Sequence, residues 1–565
     1  MTLPFVPALS SRPDDDTPGP AWSAGLAALL CALHRQQGGD SADAAQIETW
    51  VRQLAEGLDQ GHVCLHETGE PLWRRLDSPV LVASEQAADT VAPLVAEPNR
   101  LYLYRHWQAE TQLAQALCAL DAPVEQPVPV PPERLAGLNI LQQEAVLRAT
   151  QRRFSLITGG PGTGKTFTLV RILLALLEQN PGLHVALAAP TGKAAARMSE
   201  ALRGALEKAS DVSPAMREAL PQSASTLHRL LGIQYDRPAQ YHARNPLPFD
   251  LVIVDEASMI DLRLASQLLA AIDPRKTRLI LLGDANQLAA VEAGAVLEEM
   301  GRARRLQAGR VALSESQRFG ADSGIGQLAA AICAGDVRGV TALGQAGLKD
   351  VRFEPLPGPD ALAAALFRGY GEYVAALQAG AAPEAVLRAF DRFRVLCALR
   401  EGATGVAGLN QRLSGLLRRA LGQEAAAAVW FHGRPVMVMQ NDYALNVFNG
   451  DIGVVLRDGA GLSVFFPDRE RGVKVIAVAR LAHVETALAM TVHKSQGSEF
   501  GEVAVVLPGH EVAVVTRELL YTGVTRARER VGVWASPEIL GLAVGRRTER
   551  RSGLGEKVGL FNKRA

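Results

Sequence analysis

Ser155-Leu156-Ile157-Thr158-Gly159-Gly160-Pro161-Gly162-Thr163-Gly164-Lys165-Thr166 is a short apolar strand running into a glycine-rich loop that ends in Gly-Lys-Thr. Leu169, Ile172, Leu173, Leu176 and Leu177 follow at helical spacing. A strand, then this loop, then a helix is the context in which such a string means phosphate binding. The loop's backbone N–H groups and the helix N-terminus cradle anions, because unpaired amides and the helix dipole favour negative charge there. Lys165 is placed to reach the β and γ phosphates, and Thr166 to hold Mg²⁺ through its hydroxyl. The stretch therefore predicts binding and hydrolysis of a nucleoside triphosphate.

The bulk properties narrow the setting. A chain of 565 residues suggests about three to four domains, each with its own core. Lys plus Arg and Asp plus Glu both number 59, so net charge gives no vote for a nucleic-acid partner and any basic surface must be local. Cys31, Cys64, Cys118, Cys333 and Cys397 are scattered without a C-x-x-C pair, which argues against a disulfide framework or zinc finger and suits a reducing cytoplasm. The start, 1–16, is acidic and lacks the basic region of a signal peptide. No apolar run reaches the ~18 residues of a membrane helix. The expectation is a soluble, cytoplasmic protein with no membrane association.

Five prolines between Pro123 and Pro132 mark the clearest boundary, since each fixes extended backbone. Residues 1–122 before it read as a mainly helical N-terminal domain, with one strand-like run, Leu101 to Trp107, whose aromatics suit a core or an interface. Beyond it, Phe154 to Thr158, Val185 to Ala189, Leu251 to Val254 and Leu279 to Leu282 lack hydrophobic/polar alternation and read as buried parallel strands. Polar residues sit just past their C-terminal ends, where open α/β sheets place ligands. A second set, Arg394 to Leu399, Val503 to Leu507 and Val531 to Trp534, encloses a region of close-spaced strands over 433–481. Pro435 to Met439, Ile452 to Leu456, Leu462 to Phe466 and Val473 to Val478 give that region the signature of a small β-barrel insertion. The fold class is α/β: a first lobe over 133–319 and a second over 320–565 carrying the β module.

Three further stretches carry chemistry. Leu251-Val252-Ile253-Val254-Asp255-Glu256 is an apolar strand ending in paired carboxylates; downstream of a phosphate loop, Asp255 would share Mg²⁺ with Thr166 while Glu256 activates the attacking water. Gly283-Asp284-Ala285-Asn286-Gln287 ends the next strand, and the Gln287 amide can bond phosphate and water together. Arg318 and Arg526 offer planar guanidiniums for the charge that develops on the γ-phosphate.

The order of these segments resembles superfamily 1 DNA helicases, and their wording resembles the RecD family within them. The matches begin at Leu138 to Val146, similar to an adenine-reading Q motif with Gln142 as its glutamine. They run through the phosphate loop, Ala189 to Arg197, Ser225 to Gly232, Asp255-Glu256, Gly283 to Leu288, Thr491 to Phe500 and Glu518 to Arg528. Asn449 to Gly453, Arg547 to Leu554, Gly61 to Leu65 and Leu101 to Trp107 extend the likeness. It implies two RecA-like lobes, an SH3-like β-barrel and an N-terminal partner-binding domain. It further implies a 5′→3′ translocase on single-stranded DNA, driven by ATP and Mg²⁺ and acting at duplex ends beside RecB-like and RecC-like subunits in double-strand-break repair. The nuclease site is expected on a partner chain. Nucleotide contacts carried over are Gln142, Gly159 to Thr166, Gly497 and Glu499. Grips on DNA are Thr191, Lys193, Thr226 and His228 on the first lobe and Thr491, His493 and Ser495 on the second, groups able to hold phosphates without reading sequence. Capping of local backbone is the other reading of the threonines.

In this family a hairpin can act as a strand-separating pin. The interval 233–249 holds Tyr235, Tyr241 and His242 but also Pro238, Pro246 and Pro248, so a pin and a plain loop both fit. The tail 546–565 has seven basic residues against two acidic ones, which reads as a solvated terminus or a phosphate contact. Two other roles were weighed against the motor. A purely structural ATP switch does not need the full hydrolytic set, and the short N-terminal domain counts against a stand-alone helicase.

Overall fold

Strand Phe154–Gly159 lies second in a six-stranded, all-parallel sheet. The order is Arg310–Leu313, Phe154–Gly159, Arg278–Gly283, Leu251–Val254, Val185–Ala189 and Ser225–Thr226. In this computed structural model, residues 20–560 are described apart from 88, 209–215, 218–219, 222, 235–236, 317, 321–322, 424–427, 443, 460 and 469–471. The central strands are buried on both faces, which explains their unbroken apolar runs. Register pairs Thr158 with both Gly283 and Ala312, and Val254 with Ala188. The phosphate loop, Asp255 and Asp284 therefore leave the sheet at nearly one level.

The second lobe is another parallel sheet, ordered Val351–Glu354, Ala527–Trp534, Phe500–Val506, Phe393–Cys397 and Ala489–Thr491. Its three central strands match the expected ones. The edge strands are four and three residues long and escape a pattern search. The β module is an antiparallel five-stranded sheet, ordered Gly472–Ala477, Gly461–Asp468, Ile452–Asp458, Pro435–Val438 and Val484–Thr486. It reaches past 481 because the fifth strand pairs with the first, Val438 opposite Val484.

Two expectations need correction. In the N-terminal region the strand-like run Leu101 to Trp107 is strand only as far as Leu103 and helix from Tyr104, and a small sheet joins the helices. Helices Ala21–Gln36, Ser41–Asp59 and Tyr104–Leu120 accompany a sheet of Leu65–His66, Arg100–Leu103, Leu94–Ala96 and Leu81–Ala83. Apart from Arg100–Leu103, which the run at Leu101 marks, these strands of two or three residues carry too little alternation to be seen in sequence. The basic tail, as far as residue 560, is docked on the rest of the chain rather than a solvated terminus. Arg547 pairs with Glu298 at 3.1 Å, and the Arg550 guanidinium donates to the carbonyls of Ala290, Glu292 and Gly294 at 2.6–3.0 Å. Both targets lie in the first lobe, so the chain crosses back from the second. The expectations for 1–16, Tyr235, Lys563 and Arg564 concern residues outside the described ones.

Glu110 fastens the tail. It is fully buried and accepts from Tyr102 Oη (3.0 Å), Ser552 Oγ (2.8 Å), the Gly553 N–H (3.1 Å) and Lys557 Nζ (2.7 Å). Around it Leu113 and Leu117 pack with Leu554 and Val558, in one core with Leu264 and Leu268 of the first lobe. Burying a carboxylate is tolerable only with such a full set of donors. Glu110→Ala should lower stability by about 3 kcal/mol, because the buried Lys557 loses its nearer partner; Glu110→Gln, which keeps an acceptor, should cost less. Urea denaturation of the full chain with an N-terminal-domain fluorescence probe (Trp107) checks both.

Candidate active site

The phosphate loop is shaped by two left-handed glycines, Gly162 (φ 77°) and Gly164 (φ 81°). A Cβ on Gly162 would lie 2.3 Å from Arg318 Cβ, and one on Gly164 2.4 Å from Gln142 Nε2, so backbone angle and space both demand glycine. Gln142 closes a capping box with Asn139 at the start of helix Ile140–Gln151. Its Oε1 accepts the Asn139 N–H and its Nε2 donates to the Thr163 carbonyl, both at 3.1 Å. The residue expected to read adenine thus also holds the loop. Lys165 begins helix Lys165–Gln179, and its ammonium rests on the carbonyls of Gly159 (2.6 Å) and Gly160 (3.1 Å).

Asp255 follows strand Leu251–Val254, and its Oδ1 accepts the Glu256 N–H at 2.8 Å. Burial, reinforced by the neighbouring Glu256 charge, pushes the Asp255 carboxyl up to about 6, while Lys165 pulls the other way. Glu256 adopts φ 53°, a left-handed conformation that costs a non-glycine residue on the order of 1 kcal/mol and clusters at functional sites. Asp284 is 2% exposed. Its Oδ1 accepts the Asn286 N–H (3.0 Å), and its Oδ2 accepts Gln287 Nε2 (3.1 Å) and Tyr521 Oη (2.9 Å). Burial raises its pKa, against the pull of Lys165. Gln287 Oε1 is buried without a hydrogen-bond partner.

Glu499 and Arg526 come from the second lobe, at the N-terminal ends of strands Phe500–Val506 and Ala527–Trp534. Arg526 is 2% exposed and donates to the carbonyls of Thr522 and Ser498, each at 3.1 Å. Glu499 accepts from Arg197, from Arg318 Nη2 (2.8 Å) and from Arg528 Nε (3.1 Å). Burial, the largest influence, would raise its pKa, but Arg197 and Arg318 outweigh it and hold the carboxyl at about 2. Arg318 Nη1 is buried without a hydrogen-bond partner. The phosphate loop, Arg197, Asp255, Glu256, Gln287, Arg318, Glu499 and Arg526 line one solvent-open cleft of about 960 Å³. Thr166 and Asp255 share it, so the donor set suits Mg²⁺, and the unpartnered Arg318 and Gln287 atoms suit a triphosphate. Gly497 (φ 67°) is set back from the cleft, packed against Ala194.

The DNA grips divide. Thr191, Thr226 and Thr491 each accept a backbone N–H three residues on, from Ala194, Arg229 and Lys494, at 3.2 Å. His228 is exposed, and His493 is half-buried with its pKa lowered by burial and then by Arg550. Burial draws the Lys193 ammonium down to about 8, opposed by Asp391 and Asp451 of the other lobe and its module. Ser495 is fully buried and donates to the Val492 carbonyl at 2.6 Å, so the expected contact with DNA is withdrawn for it. In 233–249 the described residues form only isolated bridges, Gln234 with Arg237 and His242 with Asn245, rather than a laddered hairpin.

Sequence reasoning passed over Arg197, Asp284 and Tyr521. All three lie inside the quoted motifs, but their partners are distant in the chain, and no local pattern marks such a pairing.

A model described as an AAA domain matches residues 142–293, and one described as a UvrD-like helicase C-terminal domain matches 486–534. The RecBCD enzyme subunit RecD of Mycobacterium tuberculosis is 41% identical over 488 residues, 83% of each chain. That of Haemophilus influenzae is 34% identical over 607 residues, 94% of this chain and 92% of the relative. The ATP-dependent RecD2 DNA helicase of Deinococcus radiodurans is 33% identical, and the match covers 84% of this chain but 60% of that helicase. Among solved structures, a Bacteroides Pif1 helicase in complex with ADP-AlF3 and single-stranded DNA is 17% identical over 72% of this chain and 92% of its own, with a TM-score of 0.39. With identities of this size over nearly its full length, the chain belongs to the RecD family.

Proposed function

We propose that this chain is the ATP-driven motor subunit of a RecBCD-type helicase and nuclease, moving 5′→3′ along single-stranded DNA at duplex ends during double-strand-break repair. The observation that carries this reading is the cleft itself: phosphate loop, acid pair and Gln287 come from one lobe, Glu499 and Arg526 from the other. A site assembled from two bodies does chemistry only when they close, and ligand-driven closure is a source of movement.

ATP is the substrate. Lys165 leaves the Gly159 and Gly160 carbonyls for the β and γ phosphates, and the loop's amides hold the remainder. Thr166 and Asp255 are the residues that would hold Mg²⁺, which supplies charge neutralisation between those phosphates. Glu256 orients the attacking water and takes its proton. Arg318 and Arg526 stabilise charge on the γ-phosphoryl oxygens. Gln287 links that phosphate to the segment 284–288, whose backbone is bonded to the second lobe.

Thr191, Lys193, Thr226 and His228 hold the strand on one lobe, Thr491 and His493 on the other, and alternate gripping converts closure into steps. We read the β module as an SH3-like element beside the DNA path, and the N-terminal domain as the contact for RecB-like and RecC-like subunits. The match to RecD along nearly its whole length, against 60% of RecD2, favours the subunit role over the stand-alone one.

Lys165→Gln should lower ATP turnover by about a hundredfold or more with the fold intact, since a loop lysine contributes little to stability; wild-type turnover would remove the phosphate-loop assignment. Glu256→Gln should bind ATP normally yet stall at hydrolysis, read by single-turnover kinetics. On duplexes with one single-stranded tail, unwinding should start from a 5′ tail and be lost in Lys165→Gln; unwinding from a 3′ tail would reverse the polarity. If the isolated chain unwinds neither, the assay belongs on the complex with its partners.

Tyr521→Phe removes only the hydroxyl that holds Asp284. It should lower kcat about tenfold with KM for ATP little changed, because that hydroxyl positions Gln287 rather than binding nucleotide. A change confined to KM would mean that Tyr521 touches ATP.

A further inference from the structure

Arg197 stands on helix Gly192–Lys208 of the first lobe, Arg318 follows strand Arg310–Leu313, and Glu499 belongs to the second lobe. Both guanidiniums end on the same atom, Glu499 Oε1, while Arg528 takes Oε2. The carboxylate side chain is 10% exposed and the two arginines 32% and 26%, so the contact is partly desolvated and stronger than a surface ion pair. Arg197 faces the reacting end of the cleft. It lines the same cleft as Lys165, Asp255, Glu256 and Arg526.

The charge balance there is uneven. Lys165, Arg197, Arg318 and Arg526 line the cleft against Asp255, Glu256 and Glu499, four cations against three carboxylates. Within that set only Glu499 is contributed by the second lobe as an anion, and it occupies the guanidiniums from across the cleft. A phosphate and a carboxylate both offer a guanidinium anionic oxygens as acceptors. Glu499 therefore competes with any anion that enters. A carboxylate left facing a triphosphate would repel it, which sits poorly with a direct phosphate contact by Glu499.

We propose that Arg197 is a third phosphate-binding arginine of the hydrolytic site, and that Glu499 is the counter-charge that holds Arg197 and Arg318 when no triphosphate is bound. ATP entering the cleft takes both arginines from Glu499, and loss of the γ-phosphate returns them. The exchange releases a bond between the lobes as another forms through the nucleotide, so the affinity for ATP is set against the strength of that ion-pair group. This rests on the ATPase reading above and assigns Glu499 a role other than that of a phosphate ligand.

The test is equilibrium binding of a fluorescent, slowly hydrolysed ATP analogue and of labelled ADP to the full chain, comparing wild type, Glu499→Gln and Arg197→Gln. Glu499→Gln should tighten the triphosphate about tenfold with little effect on ADP, because one charge-assisted competitor is removed. Arg197→Gln should weaken the triphosphate about tenfold and again spare ADP. Weaker binding of both nucleotides to Glu499→Gln would make it a nucleotide ligand and overturn the proposal. An unchanged ATP-to-ADP preference in Arg197→Gln would overturn it as well, and that arm decides alone if the Glu499 variant does not fold. A wild-type chain binding neither nucleotide would instead remove the ATPase reading on which the proposal stands.

Discussion

The segment from Asp284 to Leu288 is held by both lobes at once, and the geometry of the cleft depends on it. Tyr521 donates to Asp284, Thr522 accepts the Leu288 N–H at 2.9 Å, and Gln496 donates to the Leu288 carbonyl at 2.8 Å. These are backbone and carboxylate contacts at a buried seam, where an unmade hydrogen bond costs the full desolvation of its group. A sliding movement between the lobes would break all three together. A hinge movement about this segment can keep them, and the cleft beside it opens and closes. Gln287, one residue inside the seam, lines the cleft and would pass a change at a bound phosphate to the second lobe.

The tail adds a second constraint. The chain leaves the first lobe after Leu313 and returns to it at Arg547, so the second lobe is bounded by two crossings. Arg550 fills three first-lobe carbonyls and Lys557 sits on Glu110, which also ties the tail to Tyr102 of the N-terminal region. The Val63 N–H bonds to the Arg551 carbonyl at 2.8 Å and extends the tie. The first lobe and N-terminal region thus share a core, and on the motor reading they would form the platform against which the second lobe turns. Two crossings and one seam leave few directions for relative motion, which is what a stepping device requires.

Much of this was legible in the residues, for a stated reason. The phosphate loop, Asp255-Glu256 and Gln287 each follow an apolar strand, and strand-then-polar-turn is a local pattern. The central strands of both sheets were visible because burial on both faces leaves unbroken apolar runs. What stayed hidden depends on partners far away in sequence. Three of the N-terminal strands are two or three residues long and gain their hydrogen bonds from neighbouring strands. The basic tail reads as solvated until Glu298 and Glu110 are placed beside it. Arg197 lies at the end of a quoted motif, yet only Glu499, some three hundred residues away, reveals where it faces. Ser495 shares its motif with Thr491 and His493, but the turn buries it.

The hydroxyls show why capping and DNA contact need not be rival readings. Thr191, Thr226 and Thr491 each use a lone pair to accept a backbone N–H, and each is partly exposed. A hydroxyl that accepts still carries its own proton. The cap therefore fixes the oxygen in place and leaves an O–H to turn toward a phosphate, with the rotamer entropy already lost on folding. Ser495 is the reverse case: its proton is committed to the Val492 carbonyl and the residue is sealed from solvent. On this criterion a threonine at the exposed end of a parallel strand would be a better grip for being a cap, since a pre-positioned donor would hold a sliding strand at less cost than a free one.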